Sequence, residues 1–276
     1  MKTVRLPDGA DVPALGQGTW MMAEDPRRRG DEIAALRAGI DLGMTLIDTA
    51  EMYADGESER LVGEAVAGRR DNVFLVSKAY PQSASRSRLP RACEASLERL
   101  GTDRLDLYLL HWRGGVPMGE TVEAMERLVD AGKILRWGVS NLDMADMEEL
   151  VAAGGSACAT DQVLYNLTRR GPELDLLPWL AARRMPVMAY SPVEQGRLVA
   201  DRGLRTLASE LGVTPAQVAL TWLMAREGAI AIPKAGTVDH VRENRAAADL
   251  ALSPETVARL DGMFPPPSGP VPLAML

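Results

Sequence analysis

The sequence holds only two cysteines and two histidines in 276 residues, no excess of positive charge, and no apolar run long enough to span a bilayer. Each shortage removes a class of function. Cys93 and Cys158 have no metal-ligand spacing and are too few for a disulfide framework, so both are expected as small core residues. A metal-dependent hydrolase on a barrel fold gathers several His and carboxylate ligands. With His111 and His240 alone, that alternative is disfavoured and no metal site is expected. Lys and Arg number 31 against 38 Asp and Glu, a formal charge of −7, whereas neutralising nucleic-acid phosphates needs a clustered basic face. The short run "RRR" at 27–29 is flanked by acids and reads as a solvated helix entrance. The first residues carry Asp8, Asp11, Glu24 and Asp25 and no apolar leader, so a cytoplasmic protein without membrane contact is the expectation.

What is present is a repeated unit. Apolar residues at 46% and charged residues at 25% suit a soluble globular chain, here expected as one domain over 1–276. Short strand-like runs, "PALGQGT", "LIDT", "NVFLVSK", "LDLYLLH", "ILRWGVSN", "ATDQV", "PVMAYS" and "AIAIPK", are separated by segments of helical period. In "DEIAALRAGIDLG" the residues Ile33, Leu36 and Ile40 share a face before Gly43. In "ETVEAMERLVDAG", Val122, Met125 and Val129 do the same before Gly132. Thr214 and Ser253 stand as N-caps directly before Pro215 and Pro254.

Marking the end of each run gives Gly18, Asp48, Lys78, His111, Asn141, Gln162, Ser191 and Lys234. Most intervals lie near 30 residues, and the last, of 43, leaves room for an extra helix after the seventh strand. Eight such units define an α/β fold, a (β/α)8 TIM barrel, whose site lies at the C-terminal ends of its strands. The rival doubly wound sheet should show G-x-G-x-x-G after its first strand; "GQGTWM" has two of the three glycines and no helix pattern behind it. Asp8-Gly9, between alternating segments, reads as a β-hairpin ahead of the barrel.

Asp48, Lys78 and His111 end three successive strands and Tyr53 follows in the first loop, so all four should face one cleft. A phenol, with a free pKa of ~10, is a poor acid near neutrality, and a fixed ammonium beside it lowers that value. Asp48 can fix the lysine, and His111 can orient a carbonyl oxygen. Taken singly, the Asp reads as a loop cap, the Lys as snorkelling and "LHW" as a core histidine beside a packing Trp. Together they describe a proton donor aimed at an oxygen that gains charge.

The segments "GQGTW", "LIDTAEMYADGESE", "VFLVSKAYP", "LDLYLLHW", "RWGVSN", "DQVLYN", "AYSP" and "AIPKAGTVDHVREN" resemble, in order, the signature segments of the aldo-keto reductase family, most closely its small bacterial members of the methylglyoxal and general aldehyde reductase type. The resemblance implies hydride transfer from a nicotinamide cofactor to a carbonyl. It makes Tyr53 the general acid and Asp48, Lys78 and His111 its partners. It gives Ser140, Asn141 and Gln162 to the carboxamide, Tyr190 to the ring and Ser191 to the pyrophosphate path. Trp20 and Trp112 would line the substrate pocket. In the segment implied to hold the adenosine end, Lys234, Thr237, Glu243 and Asn244 match, while Ala235 and His240 stand where a strong 2′-phosphate site has Ser and Arg. Arg is a permanent bidentate partner for phosphate and a histidine is mostly neutral near pH 7. NADPH is therefore expected, with a reduced margin over NADH.

The loop "WRGGVPMGE" and the tail "PPPSGPVPLAML" are short, which predicts a shallow pocket for small aldehydes, 2-oxoaldehydes and ketones. A redox-sensing regulatory subunit on the same fold is the alternative, but no linker or charged extension offers a docking segment. A monomer with a small-molecule substrate is expected.

Overall fold

Residues 1–276 are described by a computed structural model. The chain begins with an antiparallel hairpin, β1 (Thr3–Arg5) and β2 (Asp11–Pro13). Eight parallel strands follow in sequential order: β3 (Gln17–Gly18), β4 (Leu46–Asp48), β5 (Phe74–Ala79), β6 (Leu107–Leu110), β7 (Trp137–Ser140), β8 (Asp161–Leu164), β9 (Val187–Tyr190) and β10 (Ala229–Ala231). Parallel bridges from Leu15 to Ala231 and from Gly18 to Lys234 join the first strand of this sheet to the last, which closes the barrel. No helix is long and apolar enough to cross a membrane.

The helices α1 (Arg29–Asp41), α2 (Glu57–Val66), α3 (Leu89–Leu100), α4 (Met118–Asp130), α5 (Met144–Ala152) and α6 (Leu176–Ala182) each fill one crossover. The last crossover holds two, α7 (Arg202–Glu210) and α8 (Pro215–Met224), so the long interval does contain the extra helix. Then α9 (Val238–Ala246) and α10 (Pro254–Met263) follow β10. Thr214 caps α8 in a reciprocal capping box with Gln217, and Ser253 caps α10 through the Thr256 amide. The helix faces are rotated slightly from the simple periodicity. Leu36, Ile40, Val122 and Met125 are buried, whereas Ile33 and Val129 are only half-buried. In α1 the inward stripe also includes Glu32, whose Oε2 accepts from the Ala23 amide at 2.9 Å. One apolar cluster of 70 buried residues runs through the barrel and its helices, and it contains both cysteines.

Two marked strand ends are displaced by more than one residue. Gln162 is the second residue of β8, not its end, and Lys234 lies three residues beyond β10. Side chains alternate along a strand, so inward Gln162 places Asp161 on the outer, helix-facing side. Asp161 is fully buried, and neither carboxyl oxygen has a hydrogen-bond partner. Burial pushes its pKa well above the ordinary carboxylate range. The folded chain thus keeps a proton that the unfolded chain releases at ordinary carboxylate pH, so stability falls as pH rises above the unfolded value. Each pH unit of this linkage is worth about 1.4 kcal/mol until the folded pKa is reached. Asp161→Asn should therefore be more stable than wild type at neutral pH, with the gain shrinking as pH falls and vanishing near pH 4. Urea unfolding at several pH values checks it, and a loss of stability at every pH would contradict it.

Candidate active site

β4 ends at Asp48, and the chain turns through Thr49 and Ala50 to Tyr53. The loop then enters the left-handed region at Ala54 (φ 48°), Asp55 (φ 52°) and Gly56 (φ 88°). Only glycine adopts that conformation without cost. The strained turn is held from outside the barrel. A β-carbon on Gly56 would lie 2.6 Å from Arg99 Cδ, and Arg99 Nε donates to the buried Glu59 at 2.6 Å, which also accepts from Ser77 Oγ at 2.5 Å. Ser77 is the outward neighbour of inward Lys78, so the clamp on the tyrosine loop and the lysine share one strand.

Lys78, with no solvent exposure, donates to Asp48 Oδ2 at 2.7 Å, to the Thr49 carbonyl at 2.8 Å and to the Tyr53 hydroxyl oxygen at 3.3 Å. Asp48 Oδ1 accepts from Gln162 Nε2 at 2.7 Å, so both of its oxygens are engaged. With the ammonium directed at the phenolic oxygen, the Tyr53 O–H proton is left to point elsewhere. The expected direction of the tyrosine shift is corrected. Burial and then the Asp48 charge push the phenol well above its ordinary pKa, while burial lowers the lysine against the pull of Asp48. The phenol holds its proton at neutral pH, and the ammonium stands ready to stabilise the charge left when that proton goes.

His111 follows β6 directly, and its backbone N–H still donates to the Ala79 carbonyl. Burial, with Lys78 nearby, pushes its pKa down to about 2, so the ring is neutral. Its Nδ1 is buried without a partner, and no side chain competes for the other nitrogen. A proton on Nε2 makes it a donor into the cavity. The ring centroid lies 6.0 Å from that of Tyr53 and 4.9 Å from that of Trp112, and Trp20 packs edge-on to Tyr53 at 5.0 Å.

These groups open onto a cavity of about 630 Å³. It runs from Tyr53, His111, Trp20 and Trp112 past Ser140, Asn141, Gln162, Tyr190 and Ser191 to Lys234, His240, Glu243 and Asn244. Of the residues singled out in the sequence, only Lys78 and Thr237 do not line it. Lys78 is sealed beneath, and Thr237 is the N-cap of α9, its hydroxyl accepting from the His240 amide. Such a space is long for a small aldehyde alone and has room for an elongated second molecule.

The residues read as an amide-binding set are tied to one another. Asn141 (φ 58°) donates through Nδ2 to the His111 carbonyl at 3.1 Å and to Ser140 Oγ at 3.0 Å, and accepts from the Tyr190 hydroxyl at 2.9 Å. Ser140 Oγ donates to the Gln162 carbonyl at 2.8 Å. The side-chain donors are therefore committed, and the acceptor that faces the cavity free of protein partners is Gln162 Oε1.

Several parts of the wall went unforeseen, among them the loop after β9 with Val193, Gln195 and Val199. The short tail folds back so that Met275 and Leu276 line the cavity, which gives the pocket more wall than a trimmed tail suggests. Arg28, placed in a solvated helix entrance, also lines it, whereas Arg27 pairs with Asp25 and Arg29 with Glu64 at the surface. No group of three or more His, Cys, Asp or Glu side chains is placed to hold a metal ion.

A closed eight-stranded barrel with a phenol, an ammonium and an imidazole at its C-terminal mouth defines a carbonyl-reducing oxidoreductase. Residues 14–264 match the model of the Aldo/keto reductase family, and the chain belongs to that family. It is 53% identical to a methylglyoxal reductase of Escherichia coli (strain K12), covering 100% of this chain and 99% of the relative. A Klebsiella pneumoniae aldo/keto reductase solved with NADP and acetate, and again with NADPH, superposes with a TM-score of 0.97 at 54% identity, covering 100% of this chain and 99% of the other. The aldose reductase of Schistosoma japonicum gives 0.84 at 26% identity, covering 97% and 93%.

Proposed function

We propose that this protein reduces small aldehydes and 2-oxoaldehydes such as methylglyoxal with NADPH, using Tyr53 as general acid. The observation that carries this is Lys78 Nζ set between Asp48 at 2.7 Å and the Tyr53 oxygen at 3.3 Å in a site closed to water beneath. A bound nicotinamide supplies the hydride. The protein's part is to fix the carbonyl oxygen between two donors, the Tyr53 hydroxyl and His111 Nε2, and to deliver the phenolic proton as negative charge grows on that oxygen. Lys78 stabilises the phenolate that results, and Asp48 and Gln162 hold Lys78 in place.

The cavity suits the cofactor in shape and lining. Its far end carries Lys234, followed by Gly236, where a side chain would block the space in front of the lysine. Gln162 Oε1 offers a free acceptor to a carboxamide, Tyr190 offers an aromatic face, and Ser191 lines the same cavity. The relatives with NADP and NADPH bound support the phosphorylated cofactor.

Trp20, Trp112 and Met52 make the substrate end apolar above a polar floor. Activity on methylglyoxal and on aromatic aldehydes with modest discrimination is expected when loss of NADPH absorbance is followed across a carbonyl panel. Strict selectivity for one bulky ketone would overturn the substrate reading. NADPH should outperform NADH, and equal Michaelis constants unaffected by Lys234→Ala would overturn the cofactor reading.

A further inference from the structure

The far end of the cavity holds two cations that converge on one small volume. The position a β-carbon would take on Gly236 lies 2.7 Å from Arg28 Nη2 and 3.2 Å from Lys234 Nζ. Arg28 comes from a different element, the turn Pro26–Arg28 that precedes α1. Its guanidinium donates no hydrogen bond. The nearest carboxylate is Glu32 Oε1, 4.0 Å from Nε and beyond hydrogen-bond distance. Glu32 is itself buried and pinned by the Ala23 amide, so it stays out of hydrogen-bond reach of the guanidinium, whose Nη2 and Lys234 Nζ both border the space over Gly236. Lys234 forms no ion pair. Desolvation and then the Arg28 charge lower its pKa.

The two like charges repel and no carboxylate stands between them, Glu32 lying to one side at 4.0 Å from Arg28, so the arrangement becomes more favourable when an anion enters the space they share. The missing side chain at Gly236 leaves the space open, and the planar fork of an arginine matches phosphate oxygens. The neighbouring positions add little: Ala235 is buried and apolar, and His240 is exposed on α9.

We propose that Arg28 is the second cation of the subsite for the cofactor's 2′-phosphate, clamping it against Lys234 over Gly236. The assignment rests on the NADPH reading above. It moves the discrimination between NADPH and NADH from α9 to the turn before α1.

Calorimetric titration of the full chain with adenosine 2′,5′-bisphosphate and with adenosine 5′-monophosphate tests it without turnover. Wild type should bind the bisphosphate more tightly. Arg28→Ala should weaken the bisphosphate by about 10- to 100-fold, as expected for charge-assisted hydrogen bonds, and leave the monophosphate unchanged. Arg28→Lys should fall between, because it keeps the charge and loses the fork. Gly236→Ala should weaken the bisphosphate alone, with an unchanged melting temperature showing that the fold is intact. Arg28→Ala binding the bisphosphate as wild type does would overturn the assignment while leaving the NADPH reading standing. So would an equal loss for both nucleotides, which would put the guanidinium on the 5′-phosphate. Wild type binding neither nucleotide would overturn both.

Discussion

Replacing Tyr53 by Phe should lower kcat for aldehyde reduction by about 10²- to 10⁴-fold, the range expected for losing a positioned general acid, while NADPH binding is retained. Phenylalanine fills the same space between Trp20 and His111, whose rings meet that of Tyr53 edge-on. Lys78 loses one acceptor and keeps Asp48 and the Thr49 carbonyl. The substitution therefore removes the proton donor with little disturbance of its supports. Because burial raises the phenol's pKa, the wild-type group is protonated throughout the neutral range, and the reduction rate should not fall between about pH 6 and pH 8 through this residue. Steady-state kinetics beside a cofactor-binding titration separates the two effects. A variant that keeps wild-type kcat would remove Tyr53 from the reaction.

Lys78→Met should be costly twice. Methionine matches the length of the lysine stem, so packing is largely kept, but the buried Asp48 Oδ2 loses its partner. Breaking one side of a buried ion pair costs about 3–5 kcal/mol. Activity should fall by about 10²-fold or more, since the phenolate would form without its stabilising charge. Asp48→Asn in the same chain removes the stranded carboxylate, keeps an oxygen for Gln162 Nε2, and should recover part of the stability without activity. Denaturant unfolding of the single and double variants reads the first effect and kinetics the second. Equal stability of Lys78→Met and wild type would show that the pair is not the strut described here.

The barrel was legible because its strands end in residues of distinct chemistry at near-constant spacing, and because caps such as Thr214-Pro215 and Ser253-Pro254 announce helix starts. Asp48, Tyr53, Lys78 and His111 were legible for the same reason: the topology alone brings strand ends to one rim. What escaped depends on burial and on contacts far apart in sequence. The direction of the Tyr53 shift turns on desolvation, which outweighs the neighbouring ammonium. Gln162 was expected to serve the cofactor, yet its amide nitrogen holds Asp48 across the barrel, 114 residues away. Arg28 looked like one of three surface arginines, and only the fold shows that its neighbours face solvent acids while it faces Lys234. The tail looked too short to matter, and its path back to the cavity is a property of packing that no local pattern carries.

The most direct test of carbonyl reduction at this site is to follow deuterium from NADPH labelled at the nicotinamide C4 into the product of methylglyoxal or an aromatic aldehyde, in wild type and in Tyr53→Phe. With both C4 hydrogens replaced by deuterium, wild type should place one deuterium on the former carbonyl carbon and the variant should form almost no product, although it still binds the cofactor. Wild type that binds NADPH and yields no labelled alcohol from either aldehyde, or a variant that labels product as fast as wild type, would contradict it.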